Sequence, residues 1–379
     1  MDKELDFEDI RPYHDEEINP AIRRLISVPE FGKVLDFLYP GKDKSLILAG
    51  LSEIHNALDF QIRFMHPLVN SIINKTSKGL TCSGFENLTP GNPYLFVANH
   101  RDIVLDSAML QVLLLDNGHL TSEITFGSNL MTNQFIIDFG KINRMFVVYR
   151  GGNRMELFRN AQLLSAYIRH TITGKHTSAW IAQRNGRTKD GNDKTEPGLL
   201  KMFSFSGGCD FNESFRELNI VPLAVSYEYE PCCAYKVREM AAVAKGLVYQ
   251  KAPQEDLMSI VTGITQEKGH IHLAVCKPVN QYIHEVEAIE GNNEKINKLS
   301  SLMDAEIHRN YRLWPSNYIS CDLLHGNDRF SAHYTPEEKE EFVVYMQKEL
   351  SIFKEETSQH REILLRIYAT PVINSGMLV

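Results

Sequence analysis

Three apolar runs in this chain end in residues able to do polar chemistry. Leu95-Phe96-Val97-Ala98-Asn99-His100 delivers a histidine, with Asp102 and Asp106 close behind it. Met145-Phe146-Val147-Val148-Tyr149-Arg150 delivers an arginine followed by Gly151 and Gly152. Ala179-Trp180-Ile181-Ala182-Gln183 opens into Arg184-Asn185-Gly186-Arg187-Thr188-Lys189, a glycine-containing loop that carries three cations. A histidine beside a carboxylate is the smallest general-base pair: the acid fixes the tautomer and stabilises the imidazolium that forms on proton uptake. Arginine offers a forked donor and lysine a point charge, and both suit a phosphate or an oxyanion, while glycine lets the backbone come close to it. The combination points to proton abstraction beside a bound anion.

Such residues need a scaffold that brings strand ends together. Short apolar runs at 94–99, 124–128, 145–149, 179–183, 220–226 and 270–276 read as strands. Helical stretches near 106–115, 154–173 and 198–205 alternate with them. This alternation implies an α/β fold with a mixed, largely parallel sheet flanked by helices. In open sheets of that kind ligands sit at the carboxyl ends of the strands, which is where His100, Arg150 and the 184–189 loop fall. Residues 1–80 read as a helical N-terminal region, 81–330 as the α/β domain and 331–379 as a helical C-terminal extension. In the first of these, Asn19-Pro20 reads as a helix opening, and Pro67 should kink or divide a helical stretch over 43–74. In the last, Thr335-Pro336-Glu337-Glu338 is a helix start, and the stripe Phe342, Met346, Leu350, Phe353 belongs to packing.

Composition excludes several function classes. With 379 residues, 43% hydrophobic and 23% charged, the chain reads as an ordinary globular protein. No run approaches the roughly 18 apolar residues of a membrane span, so any membrane contact is expected to be peripheral, at the inner face. The acidic start Met1-Asp2-Lys3-Glu4-Leu5-Asp6 does not read as a signal peptide, and a cytoplasmic location is expected. The six cysteines show no metal-ligand spacing and read as reduced thiols. His270-x-His272 lacks a third ligand and reads as a solvent-facing pair, so no metal is expected. Net charge is −8, yet residues 141–189 hold ten basic side chains against Glu156 alone. This concentrated island suits a local anion, not the broad basic face of a nucleic-acid binder. Arg159 and Arg169 within it read as a solvated helix face. No Gly-x-Ser-x-Gly elbow, P-loop or Gly-x-Gly-x-x-Gly occurs.

The order of these motifs, Asn99-His100 with a following aspartate, then Arg150, then the Gly186-Arg187-Thr188-Lys189 loop, then Ile220-Val221-Pro222-Leu223-Ala224-Val225-Ser226-Tyr227, resembles the glycerol-3-phosphate and 1-acylglycerol-3-phosphate acyltransferases. In layout the chain is most similar to the soluble plastid-type glycerol-3-phosphate acyltransferases. The resemblance spans 94–227 and has two departures. Five residues separate His100 from Asp106 where the family has four, leaving Asp102 as the alternative partner, and Asn185 stands where the family often has glutamate. The resemblance implies that His100 is the general base and Asp106 its orienting acid. It places the acceptor phosphate at Arg150, Asn185, Gly186, Arg187 and Lys189. It implies an acyl thioester of coenzyme A or acyl carrier protein as co-substrate, with no cofactor, and a glycerol-phosphate-type acceptor. Two readings stay open beside it: acyl transfer to a different hydroxyl or amine, and a non-catalytic lipid or anion binder.

Overall fold

The structure, a computed structural model, describes residues 6–41, 43–208, 210–353 and 357–377; Cys209 and the first five residues lie outside these ranges. Seven strands make one sheet: β1 (Gly79–Ser83), β2 (Leu95–Ala98), β3 (Glu123–Gly127), β4 (Met145–Val148), β5 (Ala179–Ala182), β6 (Ile220–Tyr227) and β7 (His270–Val275). They lie in the order β1-β7-β6-β2-β5-β3-β4. Every pairing is parallel except β6 with β7. The fold is thus α/β with a mixed, largely parallel sheet, and all six expected strands are present.

The central strands β2, β5 and β6 are buried on both faces, as parallel strands ordinarily are, while β1 at one edge is largely exposed. Phe96 and Ala98 of β2 face one side, against Met109 and Leu113 of the helix Leu105–Asp116 and the N-terminal helices with Phe31, Phe64 and Val69. Leu95 and Val97 face the other, against Tyr167 and Ile168 of the helix Arg154–Arg169, Leu200, and Leu299 of the helix Asn292–Asn310. A satellite core joins the C-terminal helices Pro336–Leu350 and Ser358–Asn374 to Cys233 and Val237 of the helix Cys233–Ala244. Phe342, Met346 and Leu350 are buried there, with Phe353 half-buried beside them. Among the described residues no helix is long and apolar enough to cross a membrane.

Several details differ from the sequence reading. The first helix starts at Asp15, five residues before Pro20, because His14 caps it and Glu17 reaches back to the His14 N–H. Pro20 is tolerated inside it. The stretch over 43–74 is divided, and at Pro67 the change is a π-turn, Gln61–Met65, running directly into the helix His66–Thr76. Proline lacks the N–H of the regular ladder, and a widened turn is a common way to absorb that loss.

The two histidines of β7 are not a solvent-facing pair. His270 is half-exposed, bonded to Glu228 at 2.7 Å and stacked on Trp314. His272 is buried, bonded to the Thr81 and Ser83 hydroxyls of β1 at 2.8 and 3.0 Å. Burial, reinforced by Arg312, pushes its imidazole down to about 4. The folded protein therefore binds fewer protons here than the unfolded chain. The stabilisation is present above the ordinary histidine value of about 6.5 and drains away as pH falls toward 4. We expect the unfolding free energy, read from denaturant titrations, to drop across that window by up to roughly 3 kcal/mol from this residue, and the His272→Gln variant to lose this part of the pH dependence.

Candidate active site

The site is assembled at the carboxyl end of β2. Asn99, the first residue past the strand, is buried and extends the β2–β6 pairing with its side chain: its amide nitrogen donates to the Val225 carbonyl at 2.9 Å and its oxygen accepts the Val225 N–H at 2.7 Å. This locks the direction in which the chain leaves the sheet. His100 follows with only 14% of its side chain exposed, and its Nδ1 donates to Asp106 Oδ2 at 2.9 Å. No other hydrogen bond to the imidazole is present among the described residues, so Nε2 is left to accept a proton. The Trp180 ring packs edge-on against the imidazole at 5.6 Å.

Asp106, not Asp102, receives the histidine, and the turn between them shows how the extra residue is absorbed. Asp102 Oδ1 accepts the N–H groups of Val104 and Leu105 at 2.9 and 2.8 Å, folding 102–104 into a bend that starts the helix Leu105–Asp116. That bend turns Asp106 back toward His100. The buried Asp106 carboxylate then accepts the N–H groups of Arg101 and Asp102 at 2.6 and 2.9 Å on Oδ2, and the Tyr227 hydroxyl at 2.7 Å on Oδ1.

The two aspartates are driven apart in acidity. Burial raises Asp106, but the hydrogen bond and charge of His100, with the Tyr227 and backbone donors, outweigh it and hold the carboxyl below its usual range. Burial raises Asp102 as well, and the neighbouring Asp106 charge raises it further, against weaker opposition from its backbone donors and Arg187. Asp102 Oδ2 is buried without a partner. Gly263 makes room for it, since a Cβ there would lie 2.1 Å from that oxygen. We expect Gly263→Ala to displace the 102–104 turn and cost about 1–3 kcal/mol, read as a lowered melting temperature.

A buried ionic frame backs the loop. The Arg101 guanidinium binds Asp193 at 2.5 Å and Glu230 at 2.9 Å, and Lys236 Nζ bonds Glu230 at 2.5 Å and the Arg101 carbonyl at 2.8 Å. Asp193 also accepts from Asn99 and from the Thr188 hydroxyl. The Thr188 N–H donates to the His100 carbonyl at 2.6 Å, so the basic loop is tied directly to the histidine.

The loop cations have separate fates. Arg187 has no carboxylate partner among the described residues, and its Nη1 is buried without a hydrogen bond. Its charge bears on Asp102 and on the Cys232 thiol. Arg184 is spent inside the loop, on the Asn192 carbonyl at 3.0 Å and Asp190. Lys189 pairs with Glu239. Arg150 bonds Asn185 at the exposed rim, and Gly186 takes a positive φ of 79° with open space where a side chain would stand. Of the expected anion ligands, therefore, Arg187 is left without a carboxylate beside the Cys232 thiol, one residue before the Thr188 that bonds His100, Arg150 and Asn185 face each other at the rim, and Lys189 is turned to a carboxylate. Arg169, expected to be solvated, is instead largely buried and ties Ser214, Phe203 and Glu217 together.

Tyr227, Asp193 and Gly263 were not singled out by the sequence. Tyr227 closes the apolar strand Ile220–Tyr227 and carried the one positional signal, a polar tip at a strand end. No signal in the sequence marks Gly263 or Asp193.

No family model matches the sequence, and no curated protein matches it. Among solved structures, the chain is similar to the 1-acyl-sn-glycerophosphate (LPA) acyltransferase PlsC from Thermotoga maritima, at 13% sequence identity and a TM-score of 0.37, over 76% of this chain and 92% of that one.

Proposed function

We propose that the protein transfers an acyl group from a thioester of coenzyme A or acyl carrier protein to a hydroxyl of a glycerol-phosphate-type acceptor. The observation that carries this reading is the His100–Asp106 pair at 2.9 Å, with Nε2 free and the uncommitted Arg187 tied in through Thr188. His100 Nε2 takes the proton of the acceptor hydroxyl as its oxygen attacks the thioester carbonyl. The C–S bond then breaks, and the departing thiolate recovers the proton from the imidazolium. Asp106 keeps Nδ1 protonated and stabilises the charged ring, its own charge secured by Tyr227 and two backbone N–H groups. No covalent acyl-enzyme is needed, because the hydroxyl is the nucleophile.

Arg187 meets the acceptor phosphate, with Gly186 letting backbone N–H groups approach it. Arg150 and Asn185 supply a second contact at the rim. Lys189 joins only if Glu239 releases it. An apolar cleft along the helix Leu105–Asp116, lined by Val104, Ala108, Val112, Met65, Val69 and Met145, suits an acyl chain. It holds about 50 Å³ of free space, so a long chain requires the helix His66–Thr76 to shift.

Thiol release from an acyl thioester, followed with and without glycerol-3-phosphate and its 1-acyl derivative, tests the reading. Release that depends on the acceptor is expected; acceptor-independent release would mean a hydrolase, and none would mean a binding protein. Arg187→Ala is expected to raise the acceptor KM by about ten-fold or more, the loss of one charge-assisted hydrogen bond, with kcat changed far less. An unchanged KM would remove Arg187 from the phosphate site.

A further inference from the structure

The basic island has members that the site does not use. Arg154 and Arg159 make no ion pair and no hydrogen bond among the described residues, although Arg150, Arg169, Lys175, Arg184 and Lys189 all do. They lie in an unusual setting: every residue from Tyr149 to Arg159 is exposed, directly after the carboxyl end of β4. In this stretch Met155, Leu157 and Phe158 expose 64%, 47% and 52% of their surface, and Tyr149 exposes 39%. A helix docked on a sheet ordinarily buries its apolar side chains, and Tyr167 and Ile168 do so at the far end of this same helix. The near end touches the body through the Phe158 ring, which packs on Phe205 at 5.4 Å, yet it leaves half of that ring in solvent. A hollow of about 140 Å³, lined by Val148, Tyr149, Leu157, Ala161 and Leu164, lies beneath it.

The disposition around the helix is not random. At about 100° per residue, Met155, Leu157 and Phe158 fall within an arc of about 160°, with Arg154 inside that arc and Arg159 about 40° beyond it. The only acid, Glu156, points to the opposite side, where it bonds back to the Asn153 N–H at 2.8 Å. Large flexible apolar groups interleaved with unpaired arginines, the single carboxylate turned away, match the interface of an anionic bilayer: headgroup phosphates for the cations, acyl tails for the side chains. An acidic protein surface would use the arginines but leave three large apolar groups without equivalent burial.

We infer that the first two turns of the helix Arg154–Arg169, with Tyr149, form a docking surface for anionic lipid membranes. The surface adjoins the strand end that carries Arg150, so docking sets the rim of the candidate site against the membrane. The inference does not depend on the chemistry assigned to His100.

Co-sedimentation of the full chain with vesicles tests it. The protein is expected to pellet with equal mixtures of phosphatidylglycerol and phosphatidylcholine, not with phosphatidylcholine alone, and to be released by raised salt. The double substitution Met155→Glu, Phe158→Glu should lower the bound fraction at least ten-fold. The pair Arg154→Gln, Arg159→Gln should weaken binding roughly five-fold per arginine, without adding charge to an apolar position. Val344→Glu, at a 59% exposed site on the helix Pro336–Leu350, should bind like the unaltered protein. The inference is overturned if the unaltered protein stays in the supernatant, whether as a monomer, as a dimer closed over this face, or in complex with acyl carrier protein. It is equally overturned if both double variants pellet unchanged.

Discussion

Replacing His100 with alanine is expected to lower kcat by about three orders of magnitude, within the range that a positioned general base contributes, while the acceptor KM stays close to normal. The imidazole is held from one side only, through Nδ1, so removing it leaves the cationic loop attached to the His100 carbonyl by the Thr188 N–H. The main chain at that position, and with it Arg187, should stay in place. Steady-state thioester cleavage in the presence of glycerol-3-phosphate gives both constants. A variant within ten-fold of normal turnover would sink the assignment of the base.

The second large effect concerns the carboxylate. Asp106→Asn is expected to cost about 10²–10³ in kcat. An amide in place of Oδ2 can present an N–H to Nδ1, which drives the imidazole into the tautomer whose Nε2 carries the proton and cannot accept one. In that orientation it would also abandon both backbone donors now served by Oδ2, the N–H groups of Arg101 and Asp102, while Tyr227 keeps its acceptor on Oδ1. Asp102→Asn should change kcat by only a few-fold, because an amide oxygen still accepts the N–H groups of Val104 and Leu105, and Asp102 is already pushed toward its neutral form. The reverse ranking would make Asp102 the functional acid. Since the His100, Tyr227 and backbone donors hold Asp106 below the usual carboxylate range, loss of its charge should not limit activity within that range.

The sheet was legible because strands buried on both faces must be short and apolar, and six of the seven are. β1 was not: Gly79-Leu80-Thr81-Cys82-Ser83 has a single large apolar side chain, and it is a strand because β7 supplies its partner and His272 ties its hydroxyls. The histidine and its neighbouring acids were visible as a strand-end cluster. Which acid mattered was not visible, because spacing alone does not reveal that Asp102 folds the turn that returns Asp106. Likewise the cations of the 184–189 loop look alike in sequence and differ only in their partners, Glu239 for Lys189 lying fifty positions away. Tyr227 reaches Asp106 across 121 positions, a contact that only the sheet order creates. Met155, Leu157 and Phe158 sit in an ordinary helical pattern, and their exposure reflects how the helix meets the sheet.

The parallel pairing of β1 with β7 sets the order in which the molecule can be completed. Gly79 is matched with His270, so the strand that leads out of the N-terminal helices has no hydrogen-bonding neighbour until nearly two hundred further residues have been made. At a synthesis rate of roughly 5–20 residues per second, that interval lasts about 10–40 s. During it, the apolar faces of Phe31, Phe64 and Val69 have no finished sheet to cover. The nascent chain is thus exposed to self-association or chaperone capture in the middle of its translation, and the closing step belongs to β7.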